Sequence, residues 1–248
     1  MSRIGFVGTG HIAAPMARFL AARGHEIFVT RRNAEVSAAL ATEIGAEIGE
    51  AQQVLDSAEI IVLCIRPEQA QSVIAPLDFR ADHRIVSVMA GVPRAVLQKM
   101  AAPATSFVQT IPLGFLEQGG CPLPGFGDTD LLAQLFDPEN PVIPVASEAA
   151  LNAHFAICAM VPGILDLMAT GAGWLAAETG DANKAEFYTT RLVGGFLQTM
   201  QKGLAGERDA LATAGTLSLQ MTEALRRGQA HDALEAALRA IGNRLEAG

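Results

Sequence analysis

From residue 3 to residue 111, short apolar runs alternate with stretches of helical period, and no other feature limits the fold of this chain as tightly. "RIGFVG" (3–8), "EIFVT" (26–30), "EIIVLCI" (59–65), "RIVSVMA" (84–90) and "TSFVQTI" (105–111) read as strands. "IAAPMARFLAARG" (12–24) and "AEVSAALATEIG" (34–45) read as helices closed by glycine, and "PRAVLQKM" (93–100) as a helix with proline in its first turn. The run at 59–65 is nearly all apolar, as a strand must be when helices cover both of its faces. Such alternation predicts an α/β fold, a doubly wound parallel sheet.

The turn after the first strand carries a chemical signal. In "GFVGTGHIAAPM" (5–16), Gly8 permits the tight turn, and Gly10 has no side chain to keep a pyrophosphate from the backbone. Ala13 stands where helix and strand must pack closely and only a small residue fits. Thr9, His11 and Ile12 complete the loop, and the amides that open the next helix face the phosphates of a dinucleotide. His11 either bonds phosphate or ribose or simply starts the helix. This is the Rossmann pattern. An NAD site carries an acid at the end of the second strand for the ribose hydroxyls. Here that place reads "FVTRRN": Thr30 is uncharged, and Arg31 and Arg32 can pair with a 2′-phosphate. The expected cofactor is NADP(H).

Residues 112–127 are too rich in glycine and proline for helix. A short helix, "DLLAQLF", and an edge strand, "PVIPVA" (141–146), close the first domain. Helical periodicity dominates afterwards. We therefore expect a Rossmann domain over 1–147 and an all-helical substrate and dimerisation domain over 148–248. "FAICAMVPGIL" (155–165) is shorter than a bilayer span and contains Pro162, so it reads as a buried helix.

Three segments together resemble the Δ1-pyrroline-5-carboxylate reductases, which form proline from its cyclic imine. "IGFVGTGHIAAPMA" resembles that family's opening motif, with His11 where asparagine is common. "VLCIRPEQ" (62–69) resembles its "AVKPQ" strand end, with Arg66 in place of lysine, and "SVMAGVP" (87–93) resembles its "SIxAGI" segment. The resemblance implies that Cys64, Ile65, Arg66, Pro67, Met89, Ala90 and Gly91 line the cofactor. The substrate side departs from the family. "RxMPNTP" corresponds to "SFVQTIP" (106–112), where Pro112 survives. "SGSGPAY", which holds the substrate carboxylate, corresponds to "CAMVPGI" (158–164), with Met160 and Val161 in place of small residues. "SPGGTT" corresponds to "TAGTLS" (213–218), leaving Thr213, Gly215 and Thr216 with Leu217 replacing the second threonine. Thr213 and Thr216 are the implied catalytic residues, orienting the imine.

Other chemistry finds less support. A resemblance to the β-hydroxyacid dehydrogenases fails because the early helical region lacks their catalytic lysine, and Lys184 sits at a polar helix start. Cys64, Cys121 and Cys158 form no CxxC pair, and His11, His25, His83, His154 and His231 form no metal-binding spacing. No metal is expected. His154 reads as a core histidine, Asp166 as the partner of an arginine such as Arg191, and Trp174 and Tyr188 as packed between helices. The formal charge of −8 argues against nucleic acid or anionic membrane as partner. Reduced cysteines and the absence of a signal-like start point to the cytoplasm. The expected function is NADP(H)-dependent reduction of the C=N bond of a small cyclic imine, in proline biosynthesis, by a homodimer or higher homo-oligomer. Alternatives are a non-catalytic NADP(H)-binding protein and a reductase of another imine, a ketone or a deazaflavin.

Overall fold

The first apolar run becomes strand β1, Arg3–Val7, whose last four residues are buried. In the computed structural model, which describes residues 1–246, β1 starts a repeating succession of strand and helix. α1 (Ala13–Ala22), β2 (Glu26–Thr30), α2 (Ala34–Ile44), β3 (Glu47–Gly49), α3 (Ala51–Ser57) and β4 (Ile60–Leu63) come first. α4 (Ala70–Ile74), β5 (Arg84–Ser87), α5 (Arg94–Met100) and β6 (Ser106–Thr110) continue it. β7 (Leu123–Gly127), α6 (Thr129–Phe136) and β8 (Val142–Pro144) complete the sheet. The eight strands lie in the order β3-β2-β1-β4-β5-β6-β7-β8. β1 to β6 are parallel, and β7 runs antiparallel to β6.

The register aligns side chains into two layers. Phe6, Val62, Val86 and Val108 pack with Met16 and Leu20 of α1 and Leu40 of α2 on one face. Ile61, Leu63, Ile85 and Phe107 pack with Leu55, Ile74 and Leu97 on the other. Each such fully buried side chain contributes about 1.5–3 kcal/mol, so the doubly wound sheet expected from the pattern carries its own core. The helix ends follow local chemistry. Asn33 accepts a hydrogen bond from the Val36 N–H at 3.3 Å to open α2, and Gly45, at φ +70°, closes it. β3 and α3 were not legible in the apolar pattern. β7 arises inside the Gly/Pro-rich segment, whose composition excludes helix but gives no sign of a strand.

The chain forms two compact units, Met1–Phe155 with the chain end from Arg244, and Ala156–Asn243. The first runs past residue 147 because α7 (Glu148–Cys158) starts within it. Leu151 is 1% exposed, and the Glu148 carboxylate accepts the Arg94 N–H at 2.5 Å. The second unit contains α8 (Met160–Thr179), α9 (Ala182–Thr199), α10 (Gly203–Leu211), α11 (Leu217–Arg227) and most of α12 (Ala230–Glu246). Gly180, at φ +74°, ends α8, and Asp181 caps α9 by accepting the Lys184 N–H at 3.0 Å.

Several expectations for the helices are corrected. The stretch 155–165 is not a buried helix: Val161, Ile164 and Leu165 are exposed. It belongs to a helical run, Glu148–Thr179, of 32 residues, which contains an 18-residue window of mean hydropathy 1.7 and is long and apolar enough by length and composition to cross a membrane. Trp174 and Tyr188 are 67% and 60% exposed rather than packed. Arg191 lies over the Phe187 ring at 5.5 Å, and among the described residues no ion pair joins it to Asp166.

Candidate functional site

The carboxyl ends of β1, β4 and β5 open onto a cleft of about 750 Å³ in the sheet unit. Gly8 has φ +99°, and a Cβ there would lie 2.4 Å from the Cys64 carbonyl oxygen. Only glycine can turn the chain at this point. Gly10 differs: a Cβ on it would meet no atom within 4 Å, because it faces the open cleft. The first glycine is thus demanded by the fold, whereas the second is free of the fold's demands and leaves room for something else.

Thr30 explains why no acid stands at the end of β2. Its hydroxyl accepts the Gly8 N–H at 2.9 Å, while its carbonyl accepts hydrogen bonds from the Thr9 hydroxyl at 3.2 Å and the Ser37 hydroxyl at 2.9 Å. Residue 30 is therefore buried and committed to holding the glycine loop against β2. No side chain caps the start of α1, which leaves the cleft end of that helix to the backbone.

The structure brings together nearly all the residues singled out as cofactor-binding. Gly8, Thr9, Gly10, His11, Ile12, Cys64, Ile65, Arg66, Pro67, Met89 and Ala90 line the cleft, and so does Arg32. Arg31 instead lines an adjoining recess of about 390 Å³, which shares Gly8, Arg32 and Ile65 with the cleft. Gly91, at φ +71°, is set back and lines a separate recess with Val92 and Pro93. The cleft wall carries His11, Arg32 and Arg66 and no carboxylate, so it suits an anion. Burial pushes the Cys64 thiol up from its ordinary range, which keeps it a neutral wall atom rather than a nucleophile.

Among the lining residues that the sequence reading does not single out are Asn33, Ala34, Gln69 and Val88 in the cleft and Glu50 in the recess. Gln109 was also missed. It is buried in β6, and its side-chain amide donates to the Val92 carbonyl at 2.9 Å, anchoring the loop after β5 that includes Met89 and Ala90. An amide side chain within a short strand, beside Phe107 and Val108, is its only signal in the sequence.

Thr213 and Thr216 belong to the helical unit, and neither lines the cleft. Thr216 caps α11. Its hydroxyl donates to the Thr213 carbonyl at 2.7 Å and accepts the Leu219 N–H at 3.2 Å. Gly215 between them has φ +81°. The segment corresponding to a carboxylate-binding loop, 158–162, is helical except for Ala159, so its backbone amides point along a helix and offer no open anion cradle. His154 Nδ1–H donates to the Ala150 carbonyl at 2.8 Å, within α7.

Comparisons with known proteins agree with this geometry. Residues 3–91 match the family described as NADP oxidoreductase, coenzyme F420-dependent. No curated protein matches the chain by sequence. Among solved structures, it is similar to 1-pyrroline-5-carboxylate reductase from Streptococcus pyogenes, with a TM-score of 0.86 at 18% identity, covering 100% of this chain and 99% of the other. The pyrroline carboxylate reductase of Plasmodium falciparum, with NADP bound, gives 0.82 at 14% identity over 99% and 97% of the two chains. The imine reductase of Myxococcus stipitatus, in complex with NADP+, gives 0.63 at 16% identity over 100% and 95%. The chain therefore has the fold of the pyrroline-5-carboxylate reductases from end to end.

Proposed function

We propose that this chain is an NADP(H)-dependent reductase of C=N bonds, with a small cyclic imine of the pyrroline-carboxylate type as its leading substrate class. The observation that carries the reading is the cleft where the glycine loop, Arg32 and the ends of β4 and β5 meet without a carboxylate. The residues present fit the nucleotide. Gly10 leaves the space a pyrophosphate needs, α1 opens toward it uncapped, and Arg31 and Arg32 stand where a 2′-phosphate is recognised. Similarity to proteins whose structures hold NADP, and to the matched oxidoreductase family, supports the same choice.

When bound, NADPH would supply the hydride equivalent that reduces the imine carbon. The chain supplies position and dryness. Met89, Ala90 and Ile12 give an apolar wall beside the reacting end, and Gln109 holds the Met89–Val92 loop in place. Thr213 and Thr216, which do not line the cleft, take no part in this reading, and the Thr216 hydroxyl is engaged in capping α11. A protonated imine needs no further acid. We also propose that the helical unit is completed by a second copy of the chain, forming a homodimer, because its exposed leucines and aromatics need cover.

The test is NADPH oxidation with pyrroline-5-carboxylate and, separately, with pyrroline and piperideine. Turnover of any one supports the reading, and carboxylate-dependent turnover points to proline formation. Turnover of none, with NADPH bound tightly, overturns it in favour of a binding protein. The N-terminal family match favours a second reading, reduction of a deazaflavin by NADPH, and a deazaflavin belongs in the same panel.

A further inference from the structure

The recess beside the cleft holds one carboxylate next to two arginines. We infer that Glu50 sets how strongly this chain discriminates NADPH from NADH, by holding Arg31 in an ion pair and leaving Arg32 to take the 2′-phosphate. The inference rests on the NADP(H) reading of the cleft and deepens it.

The sheet register makes the pairing. Thr30 at the end of β2 pairs with Gly49 at the end of β3, and the Arg31 N–H donates to the Gly49 carbonyl at 3.2 Å. Residue 50 is thereby set across from residue 31. Glu50 Oε1 lies 3.7 Å from Arg31 Nε, and both side chains line the recess. The backbone of Glu50 is itself fixed, since its N–H donates to Gln53 Oε1 at 2.9 Å at the start of α3. Arg32 lines both recess and cleft, and among the described residues no ion pair engages it.

The electrostatics follow. A 2′-phosphate brings close to two negative charges, whereas NADH presents a neutral hydroxyl at the same place. A carboxylate in the recess repels the first and not the second. Arg31 must also leave Glu50 before it can serve the phosphate. Glu50 is therefore a positioning residue that acts through Arg31 and weakens a preference that two free arginines would make stronger. The pair is solvent-exposed, with side chains 68% and 76% accessible, so the effect is modest, about three- to fivefold in affinity.

Nucleotide titrations of the full chain test this. Glu50→Gln keeps the side-chain oxygen but removes the charge. It is expected to tighten NADPH about three- to fivefold while NADH changes less than about twofold. The gain should vanish in an Arg31→Met background and shrink as salt is added. Glu50→Asp, which keeps the charge, should retain the wild-type preference. Arg32→Met should weaken NADPH about tenfold or more, well beyond the loss from Arg31→Met. Unchanged NADPH affinity in Glu50→Gln, an equal gain for NADH, or a gain that survives Arg31→Met overturns the role of Glu50 and leaves the NADP(H) reading standing. Wild-type protein that binds neither nucleotide, or binds both equally, overturns both.

Discussion

The sheet unit and the helical unit solve the same problem differently. In the sheet unit, two layers of fully buried side chains cover both faces of the strands, and its candidate cleft is built from residues of that unit alone. In the helical unit, the buried hydrophobic residues among 156–243 are three alanines, Ala156, Ala172 and Ala185. Its large apolar side chains, among them Leu165, Trp174, Phe187, Leu192 and Phe196, are exposed. Burial at about 25 cal/mol per Å² stabilises the first unit and is largely missing from the second. The difference teaches that the sheet unit buries its apolar side chains within itself, while the helical unit leaves most of its large apolar side chains exposed in the single chain, which is the ground for the proposed dimer.

The contrast can be broken most forcefully in the sheet unit. Gly8→Ala places a methyl 2.4 Å from the Cys64 carbonyl at a φ of +99°. We expect a loss of about 3 kcal/mol or more, read by denaturant unfolding. Near-wild-type stability would mean that the loop is looser than its hydrogen bonds to Thr30 require.

The helical unit gives the next largest effect. Leu165 is 57% exposed in the single chain, so in a monomer Leu165→Glu should change stability by no more than about 0.5 kcal/mol. In the proposed dimer it should cost about 2 kcal/mol or more, roughly thirtyfold in dissociation constant. Sedimentation or light scattering of wild type and variant decides. A wild-type monomer at micromolar concentration contradicts the dimer.

A smaller effect separates the units by pH. His83 is buried in the sheet unit, with Nδ1 accepting the Arg80 N–H at 3.0 Å and Nε2 at 3.2 Å from the Leu55 carbonyl. Burial, and then the positive Arg80, hold its pKa below the ordinary 6.5. The unfolded chain takes up a proton near pH 6.5, and the folded chain only at lower pH. Stability contributed by neutral His83 is therefore full above about pH 6.5 and falls as pH drops toward the folded value, by at most about 1.4 kcal/mol per unit. Unfolding measured from pH 8 down to pH 5, about the range over which a histidine titrates, should show this slope, and His83→Gln should flatten it.

Legibility in the sequence followed the same division. The strands of the parallel sheet read directly, because burial on both faces leaves nearly unbroken apolar runs such as Ile60–Leu63. The glycine loop and the arginines read from turn chemistry and charge. β3 was missed because it is three residues long, too short for any period, and Glu50 went with it. β7 was missed because "LPGFG" lacks strand propensity and is held by its neighbours: a Cβ on Gly125 would sit 2.8 Å from Leu132. Gln109 was missed because its partner, the Val92 carbonyl, is 17 residues away in sequence. The apolar helices were read as buried because composition records a need for cover and not where the cover comes from. For the same reason Trp174 and Tyr188 were placed at an interface that the single chain does not form.

The most direct test of the nucleotide site uses the glycine that the fold itself does not need. A side chain at Gly10 meets nothing within 4 Å and no unfavourable φ, so Gly10→Val should leave thermal stability close to that of the wild type. If the cleft binds a dinucleotide with its pyrophosphate against this backbone, the same substitution should weaken NADPH by about a hundredfold or more in a fluorescence titration, a cost of several kcal/mol from steric exclusion and lost amide contacts. A folded Gly10→Val that binds NADPH as tightly as the wild type would contradict the site.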